Sequence, residues 1–298
     1  MFAIDIKIFS ITMPKLCLEK NSNKISFSAG KKEFKKNSHN LSETIVKFPN
    51  KKYLFEEVIL LNNDNVVNIY PENISPMFLW MQKLNLPKKP IILDIGANIG
   101  IFSLSYASIF KGAEIHSFEP VPFIYNYLCK NLEINPNLNH KIYPHNFGLS
   151  NCVEQKQLSI PEPYQHERYS DNIDIRLYSV LGEGEERFNA SFVPVDLWVK
   201  KSQIKAVDFI KIDVEGYEYL VLEGAKKTLK SFRPVVMFEL NDMTLTLSNR
   251  SIKEYIYLAK DNGYEIFGLE YGWKNELMPI QSEDQIKLVS DLILLPSL

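Results

Sequence analysis

Four acids stand where short apolar runs end: Asp94 within IILDIG, Glu119 after EIHSF, Asp213 after FIKI and Glu239 after VVMF. In an open parallel sheet ligands bind outside the carboxyl ends of the strands, near the point where strand order reverses. The four carboxylates would therefore line one rim, a regularity that a scattered solvated surface would not produce. The loop Asp94-Ile95-Gly96-Ala97-Asn98-Ile99-Gly100 puts glycines where a strand turns into a helix, so that backbone can approach a ligand that a Cβ would exclude. It is not GxGxxG and it lacks the lysine of a P-loop. An acid ahead of the glycines opposes a pyrophosphate and suits a ligand carrying an ammonium and a sulfonium. Glu119, 25 residues after Asp94, is placed to accept hydrogen bonds from two ribose hydroxyls. Together these residues describe a site for a positively charged nucleoside, S-adenosyl-L-methionine.

The elements that must position these acids are legible from Ile91 onward, where apolar runs alternate with helical periodicity as in a parallel sheet flanked by helices. IILDIG leads into IFSLSYASIF, a helix closed by Lys111-Gly112. EIHSFEP leads into VPFIYNYLCKNLEIN, with Ile124, Leu128 and Leu132 on one face and Asn135-Pro136 as the stop. KIYPHNFGLS is a third, less regular run. DFIKIDVEG precedes a helix whose buried stripe is Tyr217, Leu220, Val221, Ala225 and Leu229, ended by Phe232-Arg233-Pro234. After PVVMFEL, Ser251 and Glu254 form a capping-box signature ahead of a helix that Asn262-Gly263 terminates. YEIFGLE and DLILLP are close in sequence and are expected to pair antiparallel at the sheet edge.

Two regions fall outside the alternation. Residues 1–75, with a lysine-rich stretch and an expected hairpin through YLFEEVILLNNDNVVNIY turning at Asn62-Asn63-Asp64, are read as an accessory N-terminal segment ahead of a domain over 76–298. Residues 151–195 are long, polar and aromatic, and are read as an insertion over the carboxyl edge of the sheet. Tyr164, Arg168, Tyr169 and Arg187 within it are either contacts to an anionic or sugar substrate or plain loop surface.

Composition narrows the function classes. A formal net charge of −2 over 298 residues favours neither nucleic acid nor an anionic membrane as partner. Three distant cysteines without a CxxC pair favour a reducing compartment. MFAIDIKIFSITM carries Asp5 and Lys7 and reads as a strand, not a signal peptide, and no segment reaches the ~18 apolar residues that spanning a bilayer demands. The expected location is cytoplasmic. His116 reads as a core residue, while His145 and His166 lie nearer the rim.

ILDIGANIG, SFEP, NFGLS and above all VDFIKIDVEGYEYLVLEGAKKTLKSFRPVVMFEL resemble the FkbM-type family of S-adenosylmethionine-dependent methyltransferases, in order over about residues 75–298. The resemblance implies a Rossmann-like class I methyltransferase fold, α/β with a mostly parallel seven-stranded sheet and an antiparallel last strand, and O-methylation of a sugar or another hydroxyl-bearing metabolite. It also implies roles. Asp94 and the loop Gly96, Ala97, Asn98, Gly100 hold the methionine part of the cofactor and Glu119 its ribose, while Asn146 and Phe147 sit near adenine. Asp213 stands by the sulfonium and the acceptor with Glu215 behind it, and Glu239 faces the acceptor.

Because a hydroxyl loses its proton as the new bond forms, a carboxylate base is useful, with Asp213 the first candidate and Glu239 the second. Either acid could instead steady the sulfonium. The two could also ligate a hard cation through oxygen, but no histidine accompanies them, so no metal is expected. Two other functions stay open at this stage: a nicotinamide oxidoreductase, opposed by Asp94 and the missing third glycine, and a non-catalytic domain that binds S-adenosylmethionine or a glycan.

Overall fold

The computed structural model describes residues 41–46, 58–63, 80–81, 83–159, 187–270 and 276–297. Strands β1 (Leu41–Val46) and β2 (Val58–Asn63) pair antiparallel with each other. The return strand expected after Asn63 lies outside the described residues, as do the lysine-rich stretch and Tyr164, His166, Arg168 and Tyr169.

The α/β core follows in the expected alternation: β3 (Ile91–Ile95), α1 (Ile101–Ile109), β4 (Glu114–Phe118), α2 (Pro122–Glu133) and β5 (Ile142–His145). A small excursion comes next, with β6 (Gly148–Ser150), β7 (Glu154–Leu158), β8 (Phe188–Pro194) and α3 (Val195–Lys201). The chain re-enters the sheet as β9 (Phe209–Ile212), runs through α4 (Glu218–Gly224) and α5 (Lys226–Phe232), and returns as β10 (Val235–Phe238). Helices α6 (Asp242–Ser248) and α7 (Ile252–Asp261) precede β11 (Tyr264–Glu270), β12 (Leu277–Pro279) and β13 (Val289–Pro296).

The main sheet has the order β12-β11-β13-β10-β9-β3-β4-β5. Parallel pairs link β10 to β9, β9 to β3, β3 to β4 and β4 to β5, whereas β13 is antiparallel to both of its neighbours. From β3 the chain moves outward through β4 and β5 and then comes back to the other side of β3 as β9. The strand order therefore reverses between β3 and β9, and the loops leaving these two strands diverge over a crevice. Helices on the sheet faces explain why β9 is buried at every position and why its core neighbours Ile92, Leu93 and Met237 are almost fully enclosed.

Three expectations change in detail. DLILLP does pair antiparallel with YEIFGLE, but it lies inside the sheet between β10 and β11, with Leu292, Ile293 and Leu294 buried. The edge belongs to an eighth strand, the three-residue β12, too short to show a period and ending in a proline that an edge tolerates. KIYPHNFGLS divides at Asn146-Phe147: its first half joins the main sheet, and Gly148–Ser150 joins a three-stranded sheet of order β6-β8-β7. The helix after DVEG divides at Ala225, because Asp196 of α3 accepts the backbone N–H groups of Lys227 and Thr228 at 2.9 and 2.8 Å and so caps a new helix. The capping box of Ser251 and Glu254 is present as expected.

Candidate functional site

The loops after β3 and β9 meet over the crevice. Gly96 has φ +78°, and a Cβ on it would lie 1.8 Å from the carbonyl oxygen of Asp213. The Gly96 and Ala97 N–H groups both donate to the Phe118 carbonyl at the end of β4. Gly100, at φ +90°, leaves room for Leu128, whose Cδ1 would stand 2.6 Å from a Cβ there. Close packing of strand ends and α2 thus accounts for both glycines, while Gly96, Ala97 and Asn98 still form one wall of a cavity of about 250 Å³. That volume is slightly below the ~300–1,000 Å³ usual for small-molecule sites.

Glu119 lines the same cavity. Its Oε2 accepts the Asn98 N–H at 3.0 Å and its Oε1 the Val121 N–H at 2.8 Å. Burial pushes its carboxyl up to about 7, against the pull of those two N–H groups. Around it stand Ile124, Leu158 and Phe192, which pack into one apolar cluster. The small sheet exists at this wall because Gly148 has no Cβ: one would fall 2.2 Å from the Phe192 ring.

Asp94 lies beneath the cavity and not on its wall. It is fully buried, accepts the Ser103 hydroxyl at 2.5 Å and faces the Lys211 ammonium at 3.6 Å. Lys211, itself only 3% exposed, donates to the Gly96 carbonyl at 3.0 Å, pairs with Asp213 at 3.2 Å and lies under the Phe102 ring at 4.5 Å. Burial pulls its affinity for the proton down, but the carboxylates of Asp213 and Asp94 more than offset this and hold the ammonium above its usual range. This lysine was not singled out from the sequence, although a cation inside FIKI was the available signal: a lysine in a strand buried on both faces needs acids beside it.

Asp213 is on the wall, about a third exposed, with its charge committed to Lys211. Glu215, expected behind Asp213, instead faces the cavity. The helix-start role belongs to Glu218, which accepts the N–H groups of Val214 and Gly216 at 3.0 Å each. Wrapping the backbone around that carboxylate puts Glu215 at φ +53° and Gly216 at φ +100°. A left-handed glutamate is uncommon, and such strain persists where surrounding contacts over-determine it. Glu239 completes the wall and accepts the Asn241 side-chain amide at 3.2 Å. Burial, then Asp213 and Glu239, raises Glu215 to about 9, and burial, then Asp213 and Asp291, raises Glu239 to about 8.

Besides Asp94 and Gly100, which do not line the cavity, two further expected residues, Asn146 and Phe147, are not brought into it. The Asn146 amide donates to the Glu119 carbonyl at 2.9 Å and so fixes the turn after β4, while Phe147 packs edge-on against Phe118. The chain has left the main sheet here, and the neighbouring Gly148 and Leu149 take the wall positions. His116 is a core residue as expected, and His145 stacks on Phe118 with Trp198 beside it, 3.2 Å from the His116 ring nitrogen. Arg187 reaches Gln157. Among the described residues no group of three or more His, Cys, Asp or Glu is arranged to hold a metal ion.

A family model described as Methyltransferase FkbM domain matches residues 94–266, more than half of the chain. A curated relative, methyltransferase sdnD of Sordaria araneosa, is 31% identical over 160 residues, which span 47% of this chain and 62% of that protein. Among solved structures, a methyltransferase FkbM from Methylobacillus flagellatus aligns at 17% identity with a TM-score of 0.46, covering 71% of this chain and 45% of that one. An O-methyltransferase from Bacillus cereus in complex with SAH aligns at 13% identity with a TM-score of 0.42, covering 77% and 81%. The chain thus spans less than two thirds of the length of the sdnD relative and of the Methylobacillus structure.

Proposed function

The chain belongs to the FkbM methyltransferase family, and from that premise we propose that it uses S-adenosyl-L-methionine to methylate oxygen, with a hydroxyl of a sugar or glycan precursor as acceptor. One observation carries the reading. The described cavity wall holds four carboxylates, Glu119, Asp213, Glu215 and Glu239, against one ammonium, Lys211. Such a wall can gain negative charge by losing protons to an incoming cation but offers a pyrophosphate only Lys211, so it favours a cationic nucleoside over a nicotinamide cofactor and a neutral polyol over a phosphate-rich acceptor.

The residues fit this donor. Each Glu119 oxygen accepts one backbone N–H and keeps a second lone pair for a ribose hydroxyl. The apolar cluster of Ile124, Leu158 and Phe192 beside it suits a flat purine better than the Asn146-Phe147 corner. Bound there, the donor supplies a methyl group already activated by a sulfonium charge.

The protein's share of the reaction is then mainly alignment, worth ~7–11 kcal/mol in favourable cases, with a base adding ~10²–10⁴ in rate. Asp213, held by Lys211, acts as a fixed negative charge. Glu239, whose affinity for protons is raised to about 8, takes the acceptor proton. Residues 76–298 carry this chemistry, and the described ends of the 151–195 excursion contribute Leu158 and Phe192 to the purine side of the wall. No helix among the described residues is long and apolar enough to cross a membrane; separately, the three distant cysteines without a CxxC pair support a reducing, cytoplasmic setting.

Calorimetric titration with S-adenosylhomocysteine and with NAD tests the donor: the nucleoside thioether binds and NAD does not, and the reverse result ends the proposal. Transfer of a labelled methyl group to a panel of neutral sugars then tests the acceptor, with Glu239→Gln lowering kcat by ~10²–10⁴.

A further inference from the structure

Resting on that reading of the donor, we infer that Glu215 and Glu239 form a charge-reading pair: one of their carboxyls gives up its proton to solvent as the sulfonium enters and recovers it once the neutral thioether remains. The pair thereby selects donor over spent product and leaves a carboxylate ready for the acceptor proton.

Glu215 is turned into the cavity by the left-handed backbone that Glu218 enforces, and Glu239 reaches the same wall from the end of β10. Among the described residues, the charged groups that act most on the two are Lys211 from β9, Asp213 just beyond it, Glu218 from α4 and Asp291 from β13. Of these only Lys211 is positive, and it is already shared by Asp94 and Asp213. Two further carboxylates in so small a space cannot both ionise without an added cation. Burial first, and then this crowding, raises Glu215 to about 9 and Glu239 to about 8. A sulfonium supplies the missing charge, while a thioether does not.

Glu119 also titrates, at about 7, but it is placed at the ribose, which donor and product share, so its contribution cancels between them. The ammonium and carboxylate of the amino acid part cancel likewise. The comparison isolates one methyl group and one charge.

The test is calorimetry with S-adenosylmethionine and S-adenosylhomocysteine at pH 8 in buffers of different ionisation enthalpy. The donor is expected to release about one proton more than the thioether, and its affinity to rise about tenfold between pH 6 and pH 8 relative to the thioether, since a shift of one pKa unit corresponds to a tenfold change in binding. The double variant Glu215→Gln, Glu239→Gln removes that extra proton while still binding the thioether, which shows that it is folded. Equal proton release by both ligands overturns the inference, as does an extra proton that survives in the double variant. If the double variant does not bind the thioether, the wild-type difference between the two ligands decides alone. Failure of the wild type to bind either nucleoside removes the donor reading itself and this pair's role with it.

Discussion

Two clusters of ionisable groups lie on opposite sides of β3 in the sheet order, and they behave in opposite ways. The histidine cluster, His116 and His145, is packed among Phe118, Tyr143 and Trp198. Burial and the second ring push His145 down to about 3, and burial lowers His116 against the pull of Glu114. Both rings are therefore neutral and serve as polar packing. The acid cluster, Asp213, Glu215 and Glu239 around Lys211, borders an open cavity and holds protons that an incoming charge can displace. A closed aromatic shell silences a titratable group, whereas an open wall leaves it able to respond.

The comparison can be broken most forcefully at Lys211. Lys211→Met leaves Asp94 buried without its cation and is expected to cost ~3–5 kcal/mol, measured by urea unfolding at pH 8. A stability within ~1 kcal/mol of wild type would show that the acids do not depend on the lysine. Gly96→Ala comes next at ~3 kcal/mol, because a Cβ meets the Asp213 carbonyl and the backbone is left-handed. It changes no charge, so the pH dependence of its stability should run parallel to that of wild type.

His145→Phe should cost only ~1–2 kcal/mol, for the lost contact with His116, and should leave thioether affinity unchanged. If binding weakens tenfold, the histidines belong to the site after all.

The finest discrimination comes from melting temperature against pH. Glu215, Glu218 and Glu239 bind protons more tightly folded than unfolded, so their contribution is fully present near pH 4.5 and lost as pH rises to about 9. His145 is the opposite: its contribution is present above about 6.5 and lost as pH falls toward 3. Glu215→Gln should flatten the alkaline slope alone, and His145→Phe the acidic slope alone.

The parallel sheet was legible because its strands are continuous apolar runs separated by periodic helices, and Asp94, Glu119, Asp213 and Glu239 announced themselves as acids at strand ends. Placement beyond that was less legible. Asp94 sits below the wall, since Lys211 and Ser103 draw it inward from neighbouring elements. Asn146 and Phe147 support the Glu119 turn because the chain leaves the sheet there. Glu215 faces the cavity and Glu218, which the sequence did not single out, takes the place at the helix start, a matter of which carboxylate the backbone of Val214 and Gly216 folds around.

The residues alone determined which segments must be buried, where the carboxyl ends of the strands fall and which family the motifs belong to, because burial periodicity and turn chemistry are local. Only the tertiary structure decided which charges meet. Parallel register sets Asp94 beside Lys211, 117 positions away, and the closing loops choose which acids face open space and which are sealed beneath it. Electrostatic energy depends on distance and surroundings, and neither is written in the order of the residues.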